Sequence, residues 1–185
     1  MSRSLTAPVY DAQTVGSLLG ITYTEDELAG FGPPPDPLPG FVTLFDPGWS
    51  VIRLRKAVSA QGQVFFPQDW YDREPFAALE AAPRYRQVRA TPVPDSLRKT
   101  FDEQLTLLPG GEEVPPARVV VAALVTHFLA TGERLLPDVW VRCADKTSRG
   151  SRVVVGIFDS VGLGVYVDWG GLRSGSGGLA SARKF

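Results

Sequence analysis

The chain has 185 residues, of which 44% are hydrophobic and 21% charged, as expected for one globular domain that needs no crosslinks. A net charge of −1 argues against nucleic acid as a partner of the whole chain. A single cysteine, Cys143, excludes an intramolecular disulfide and fits a reducing compartment, so we expect a cytoplasmic protein. No apolar stretch approaches the ~20 residues of a membrane helix, so we expect no membrane partner.

The N-terminal part of the chain is acidic. Residues 1–50 carry six acidic residues and one basic residue, whereas the remainder carries 14 acidic and 18 basic residues. Residues 11–20 predict a short helix that ends at Gly20, and Thr24 with Glu27 forms a capping-box pattern. Five prolines within residues 32–40 predict a stiff extended strap. We interpret the strap as a linker, with a ligand for an SH3-like groove as the alternative, and divide the chain into an acidic segment, 1–40, and one domain, 41–185.

Residues 41–76 combine predicted strands with a loop rich in aromatic side chains. Two strands are predicted at 41–45 and 49–54, although Val51, Leu54 and Val58 also fit a helix. Residues 64–76 contain five aromatic residues and two prolines, which predicts an irregular loop anchored by its rings.

The C-terminal half predicts helices followed by strands. A strand at 85–91 precedes a helix from 95 or 96 to 108, and a strongly apolar helix is predicted at 116–131, ending at Gly132. Alternating patterns predict strands at 139–144, 152–158, 163–169 and 178–183. We therefore expect an α+β fold, with two helices packed on a C-terminal antiparallel β-meander and a short N-terminal helical appendage.

The first candidate catalytic residues are His127 and Cys143. The only histidine, His127, titrates in the range suited to a general base, but its place on an apolar helix face favours a packed, hydrogen-bonded role. Cys143 is the matching candidate nucleophile, although a free cysteine on a strand usually packs as a small apolar residue. One histidine and one cysteine cannot build the usual zinc sites, so we predict no metal, and no motif indicates a cofactor.

A second set of candidate residues lies within the predicted loop at residues 64–76. Asp69, Asp72 and Glu74 surround Trp70 and Tyr71, and carboxylates beside rings suit carbohydrate binding or acid–base hydrolysis. Anchoring of the loop by its rings explains the same residues without a ligand.

Basic residues and glycines give two weaker signals. Arg84 and Arg86 lie on one face of a predicted strand within a basic cluster, which we interpret as a solvated face rather than a nucleic-acid contact. The glycine-rich residues 170–178 lack the lysine and the following helix of a phosphate loop, so a flexible hairpin loop is expected.

Four segments resemble a group of small uncharacterised bacterial proteins, over roughly residues 63–184. These segments are 70–76, 132–140, 158–163 and 178–183. The resemblance implies a bacterial source and assigns no activity, ligand or partner to any residue.

The sequence favours a non-catalytic binding or interaction module with an unknown protein or small-molecule partner. Trp70, Tyr71, Arg84, Arg86 and the glycine-rich loops are its expected contacts. A small hydrolase acting on carbohydrate or peptide is the alternative, and a structural or assembly subunit is the third possibility.

Overall fold

A computed structural model describes residues 7–168 and 173–184. The helices are α1 Ala12–Leu19, α2 Glu25–Phe31, α3 Val51–Val58, α4 Pro75–Ala78, α5 Phe101–Leu105 and α6 Ala117–Thr131, with one 3₁₀ turn at Ser59–Gln61. The strands are β1 Val9–Tyr10, β2 Phe41–Asp46, β3 Arg84–Arg89, β4 Glu112–Glu113, β5 Trp140–Lys146, β6 Arg152–Asp159, β7 Gly162–Asp168, β8 Gly177–Leu179 and β9 Ala182–Arg183.

The described strands form two sheets. The larger sheet has the order β1-β2-β3-β9-β4, and its central β2 and β3 pair antiparallel over six residues each. The smaller sheet has the order β7-β6-β5-β8, in which β5, β6 and β7 form an antiparallel meander and β8 pairs parallel to β5. The α+β class is confirmed, and the structure adds a second sheet that the prediction did not include.

Helix α6 contacts strands of both sheets and forms the centre of the core. Every residue from Ala117 to His127 is buried, which agrees with a helix that is apolar on nearly all sides. Proline at position 116 precedes the helix, and Gly132 ends it in the left-handed conformation at φ 76°. The predicted helix at 116–131 is therefore confirmed.

The predicted strand at 49–54 is wrong, because this segment forms α3. The Ser50 hydroxyl accepts a hydrogen bond from the backbone amide of Arg53 and caps the helix. Val51, Leu54 and Val58 are buried at helical spacing, so helical packing on the core outweighs the strand propensity of the valines.

The predicted helix from 95 or 96 to 108 is also wrong over most of its length. Asp95 and Arg98 adopt positive φ angles of 60° and 58°, which no right-handed helix allows. A helix begins only after Thr100, whose hydroxyl and Glu103 form a capping box. The buried side chain of this helix is Gln104, whose amide donates to the carbonyls of Ser96 and Gly177.

The predicted strand at 178–183 divides into two strands in different sheets. Between them, the amide of Ala180 donates to the carbonyl of Arg142, and the carbonyl of Ser181 accepts from Arg89. The chain therefore passes from the smaller sheet to the larger one within two residues. Position 169, the last residue of the strand predicted at 163–169, lies outside the described residues.

The N-terminal elements pack on the rest of the chain. Strand β1 pairs parallel to β2, and Val15 and Leu19 of α1 belong to the common core. The helix end at Gly20 and the capping box at Thr24 are confirmed. Residues 32–40 form no regular element, and the side-chain amide of Gln87 donates to the carbonyl of Asp36 within them. Among the described helices, none has the length and apolarity to cross a membrane.

Candidate binding cleft

Residues 62–76, here called the aromatic loop, lie along strand β7 at the edge of the smaller sheet. The carbonyl of Val64 accepts from the amide of Leu163, and the amide of Phe66 donates to the carbonyl of Leu163 at 3.0 Å. The indole Nε1 of Trp70 donates to the carbonyl of Val165 at 2.9 Å. These bonds pair polar groups that an edge strand would otherwise leave open, so the irregular loop has a fixed position.

Most rings of the aromatic loop point into the protein. Tyr71 is fully buried, and Phe65 and Phe76 are buried beside it in the core. Trp70 is half-buried and packs edge-to-face on Tyr71, with ring centroids 5.5 Å apart. The guanidinium of Arg55 from α3 lies 4.9 Å from the centroid of the Tyr71 ring. The rings therefore fasten the loop to α3 and β7, as aromatic anchoring predicts.

A cleft of about 640 Å³ opens between α3 and the aromatic loop. Its apolar surface comes from Val58, Val64, Phe65 and Phe66, and Pro67 extends this surface. Its polar lining consists of Arg55, Ser59, Gln63, Gln68 and Asp69, together with the backbone of Gly62. The volume falls within the range of small-ligand sites, and the lining joins an apolar wall to a few polar groups, but the cleft is largely open to solvent.

The free polar groups of the cleft are mainly hydrogen-bond acceptors. The side-chain amide nitrogen of Gln63 donates to the carbonyl of Val161, in the turn before β7, at 2.8 Å. That of Gln68 donates to the carbonyl of Val165 in β7 at 2.9 Å. The amide oxygens of both glutamines make no hydrogen bond within the described chain. The exposed carboxylate of Asp69 likewise has no hydrogen-bond or ion-pair partner among residues 7–168 and 173–184.

The terminal nitrogens of Arg55, the charged donor of the cleft, are already engaged. One terminal nitrogen of Arg55 donates to the carbonyl of Gln68 at 2.8 Å, and the other donates to Asp72 at 2.6 Å. The arrangement therefore suits a ligand that brings its own donors to Asp69 and the glutamine oxygens.

The structure places the three loop carboxylates in different surroundings. Asp69 lines the cleft, whereas Asp72 forms its ion pair with Arg55. Glu74 accepts hydrogen bonds from the amide and the hydroxyl of Ser148, at 2.7 and 3.0 Å. Acid–base hydrolysis of a glycoside needs two carboxyl groups that face one bond, and only Asp69 is free to face a ligand here.

His127 and Cys143 have separate partners in the core. His127 is buried, and its Nδ1 lies 2.9 Å from the hydroxyl of Tyr10, while its Nε2 lies 3.6 Å from a carboxylate oxygen of Glu133. Cys143 is fully buried with its Sγ 3.7 Å from the carbonyl of Val141, and burial raises the pKa of its thiol well above the ordinary value. Neither residue lines the cleft.

Arg84 and Arg86 lie at the start of β3, away from the residues that line the cleft. Arg84 is exposed, whereas Arg86 is only 6% exposed, so the prediction of a solvated face is wrong for Arg86. The glycine-rich residues 170–178 fall partly outside the described chain, and their described part ends with the first two residues of β8. Within the described ranges, no group of three His, Cys, Asp or Glu side chains has the arrangement of a metal site.

The sequence located the aromatic loop but missed the residues that shape its cleft, namely Arg55, Ser59, Gln63 and Gln68. Their signal is weak, because glutamines and a helix-end arginine are common surface residues. The chain matches no protein-family model, no curated protein and no solved structure. The resemblance to small uncharacterised bacterial proteins therefore stays a prediction, and function must be inferred from the geometry of the described residues.

Proposed function

We propose that this protein is a non-catalytic binding module of a bacterial cell and that its contact surface is the cleft between α3 and the aromatic loop. The observation that carries the proposal is the cleft itself, with about 640 Å³ of space and the unpaired carboxylate of Asp69 in its wall. In this proposal Trp70 and Tyr71 hold the wall in place, and Asp69 with Phe66 contacts the ligand.

The chemistry of the lining defines the ligand class. The apolar wall favours a ligand with an apolar body, and the acceptors favour a ligand with amine or hydroxyl groups. Asp69 adds a negative charge, so an amine gains more from the site than a neutral group does. We therefore propose a small molecule, or a side chain of a partner protein, that joins an apolar part to an amine.

The positions of the nucleophilic and acidic side chains favour binding over catalysis. A thiolate or an imidazole must reach the substrate, and both Cys143 and His127 are buried outside the cleft. The hydrolase alternative on the aromatic loop requires Asp72 to leave Arg55 or Glu74 to leave Ser148. A buried, protonated thiol also suits the reducing cytoplasm in which we place the protein.

The experiment is a titration of the ¹⁵N-labelled full chain with phenethylamine, followed by NMR. We expect saturable shifts of the Trp70 indole signal and of the side-chain amide signals of Gln63 and Gln68. Asp69→Asn should weaken binding by about tenfold, because a charge-assisted hydrogen bond is replaced by a neutral one. Ser59→Trp, which places a large ring at the cleft, should abolish the shifts.

The matched control is Asp138→Asn, which removes another exposed carboxylate that has no partner among the described residues. It should bind like the unaltered chain. Equal binding by Asp69→Asn and the control would contradict the proposal, as would shifts that grow without saturation. A native mass that rises with protein concentration would instead favour an assembly subunit.

A further inference from the structure

The second feature that points to a ligand lies at one end of the larger sheet, where β2, β3 and the start of α6 meet. The register pairs Asp46 with Arg84 and Leu44 with Arg86, so these side chains share the face on which α6 packs. Arg118, in the first turn of α6, reaches the same point. We call this place, formed by Asp46, Arg84, Arg86, Glu113 and Arg118, the arginine crevice.

Both oxygens of the Asp46 carboxylate accept hydrogen bonds within the crevice. It is completely buried, and one of its oxygens accepts from the amide of Gly48 at 2.9 Å. The other oxygen accepts from Arg118 at 2.8 Å. The Nε of Arg86 lies 3.7 Å from that second oxygen, which is too far for a hydrogen bond.

Arg86 is consequently a buried cation without a hydrogen bond. Its side chain is 7% exposed, and its Nε is shielded from solvent with no hydrogen-bond partner among the described residues. Within those residues its second ion pair joins its Nη1 to a carboxylate oxygen of Glu113 at 3.5 Å. A guanidinium has five donors in a fixed fork, and a donor that stays unpaired in the interior, as Nε does, is expensive in free energy.

The charges at the entrance favour an anion. Exposed Arg84 lies beside Arg86 on the same face of β3, and burial, followed by the charge of Arg84, lowers the pKa of Arg86. The side chain of Glu113, which forms an ion pair with Arg86, is 39% exposed, so it competes with a ligand from a partly solvated position. Asp145 also carries a negative charge near Arg118, but its carboxylate accepts from the amide of Ala117 and caps α6.

We propose that Arg84 and Arg86 bind an oxyanion, either a phosphate or a carboxylate group, at the entrance of the arginine crevice. Both groups match the planar fork of a guanidinium, which accounts for the frequent use of arginine in their recognition. The bound oxyanion accepts hydrogen bonds from the terminal nitrogens of Arg86 and displaces the carboxylate of Glu113, which lies 3.5 Å from Nη1. Nε stays shielded beside Asp46 and reports the change at the terminal nitrogens. The site is separate from the cleft along the aromatic loop and does not depend on the function proposed for that cleft.

The test is an NMR titration of the full chain that follows the Nε–H signal of Arg86. Inorganic phosphate and, separately, acetate are added at neutral pH, with sodium chloride adjusted to hold the ionic strength constant. We expect a saturable shift with at least one probe. Saturation with phosphate alone supports a phosphorylated ligand, and saturation with acetate alone supports a carboxylate ligand.

Two variants at the entrance make the test specific. Arg84→Gln should weaken binding by about tenfold, because a charged donor is lost at an exposed position that does not contribute to the core. Glu113→Gln should strengthen binding by roughly fivefold, because the competing negative charge is removed. Arg149→Gln, at an exposed arginine in the turn between β5 and β6, is the control and should leave affinity unchanged.

If Arg86 has only a structural role and binds no ligand, a different result is expected. In that case neither probe saturates, or Arg84→Gln and Glu113→Gln bind both probes as the unaltered chain does. Either result overturns the proposal. Because both variants lie at the surface, the conclusion does not depend on whether a substitution of buried Arg86 itself folds.

Discussion

In the cleft along the aromatic loop, the unpaired polar groups are acceptors that face solvent, whereas the unpaired groups in the interior around α6 are mostly donors shielded from it. Asp69 and the glutamine oxygens exemplify the first region. The Nε of Arg86 and the Nε of Arg134 exemplify the second. Solvated acceptors can bind a ligand without weakening the fold, whereas buried donors influence the free energy of unfolding directly. Substitutions in the two regions should therefore have different consequences.

The largest difference in the free energy of unfolding should be found between variants of two aspartates, Asp46 and Asp69. Asp46→Asn leaves Arg118 buried without its counter-charge, and we expect it to lower the free energy of unfolding by about 3–5 kcal/mol. Asp69→Asn, in the cleft, should change the same quantity by no more than about 0.5 kcal/mol. Urea denaturation of both variants measures the difference. Equal effects would remove the distinction between the two regions.

The buried thiol of Cys143 should make the interior sensitive to alkaline pH. Its pKa is raised in the folded chain, so above the ordinary value of 9.0 the unfolded chain loses this proton while the folded chain keeps it. The contribution of this thiol to the free energy of unfolding should be constant below that pH. It should decline as the pH rises above it.

The measurement compares urea midpoints of the unaltered chain and Cys143→Ala at about pH 7, 9 and 10. Cys143→Ala should show a shallower decline. Several tyrosines, including Tyr10 and Tyr71, also have raised pKa values because of burial, and their contribution is common to both proteins. If the urea midpoints of the two proteins decline equally with pH, the thiol does not contribute to the pH dependence of stability.

The smallest contrast concerns two buried tyrosine hydroxyls. Tyr10→Phe removes the hydrogen bond to His127 and should lower the free energy of unfolding by about 1 kcal/mol. The hydroxyl of Tyr71 is buried without a hydrogen bond of good geometry in the described chain, and the guanidinium of Arg55 lies close to it. Because that contact is not a well-formed hydrogen bond, Tyr71→Phe should change the free energy of unfolding by less than about 1 kcal/mol. A larger loss in Tyr71→Phe than in Tyr10→Phe would contradict the assigned contacts.

The elements that the sequence predicted best are those whose pattern is local and unambiguous. Helix α6 is apolar on almost every side, follows a proline and ends at Gly132, so its type and bounds were accessible. The strand prediction fails at α3 because the spacing of Val51, Leu54 and Val58 fits both a strand and a helix. The cap at Ser50 and the packing of these side chains on the core favour the helix. The failure at residues 95–100 has another cause: the left-handed conformations of Asp95 and Arg98 have no sequence signature, and the buried side chain is the polar Gln104.

The candidate sites depend on contacts between distant parts of the chain. In the cleft, Gln63 bonds to the turn before β7 and Gln68 bonds to β7, almost one hundred residues away, and nothing in the local sequence indicates this pairing. Aromatic density located the loop correctly but could not distinguish buried Tyr71 from half-buried Trp70. A lone arginine in an apolar helix, Arg118, was a visible sign of a buried ion pair, but its partner Asp46 was not identifiable before the fold was known.

Native mass spectrometry of the protein recovered from its own host at gentle salt tests the central claim most directly, because it detects the physiological ligand rather than a probe. The account predicts a small-molecule adduct on the unaltered chain and on Asp138→Asn, a less populated adduct on Asp69→Asn and none on Ser59→Trp. A bare monomer in every sample, or an adduct retained fully by both Asp69→Asn and Ser59→Trp, would contradict the binding of a small molecule in the cleft.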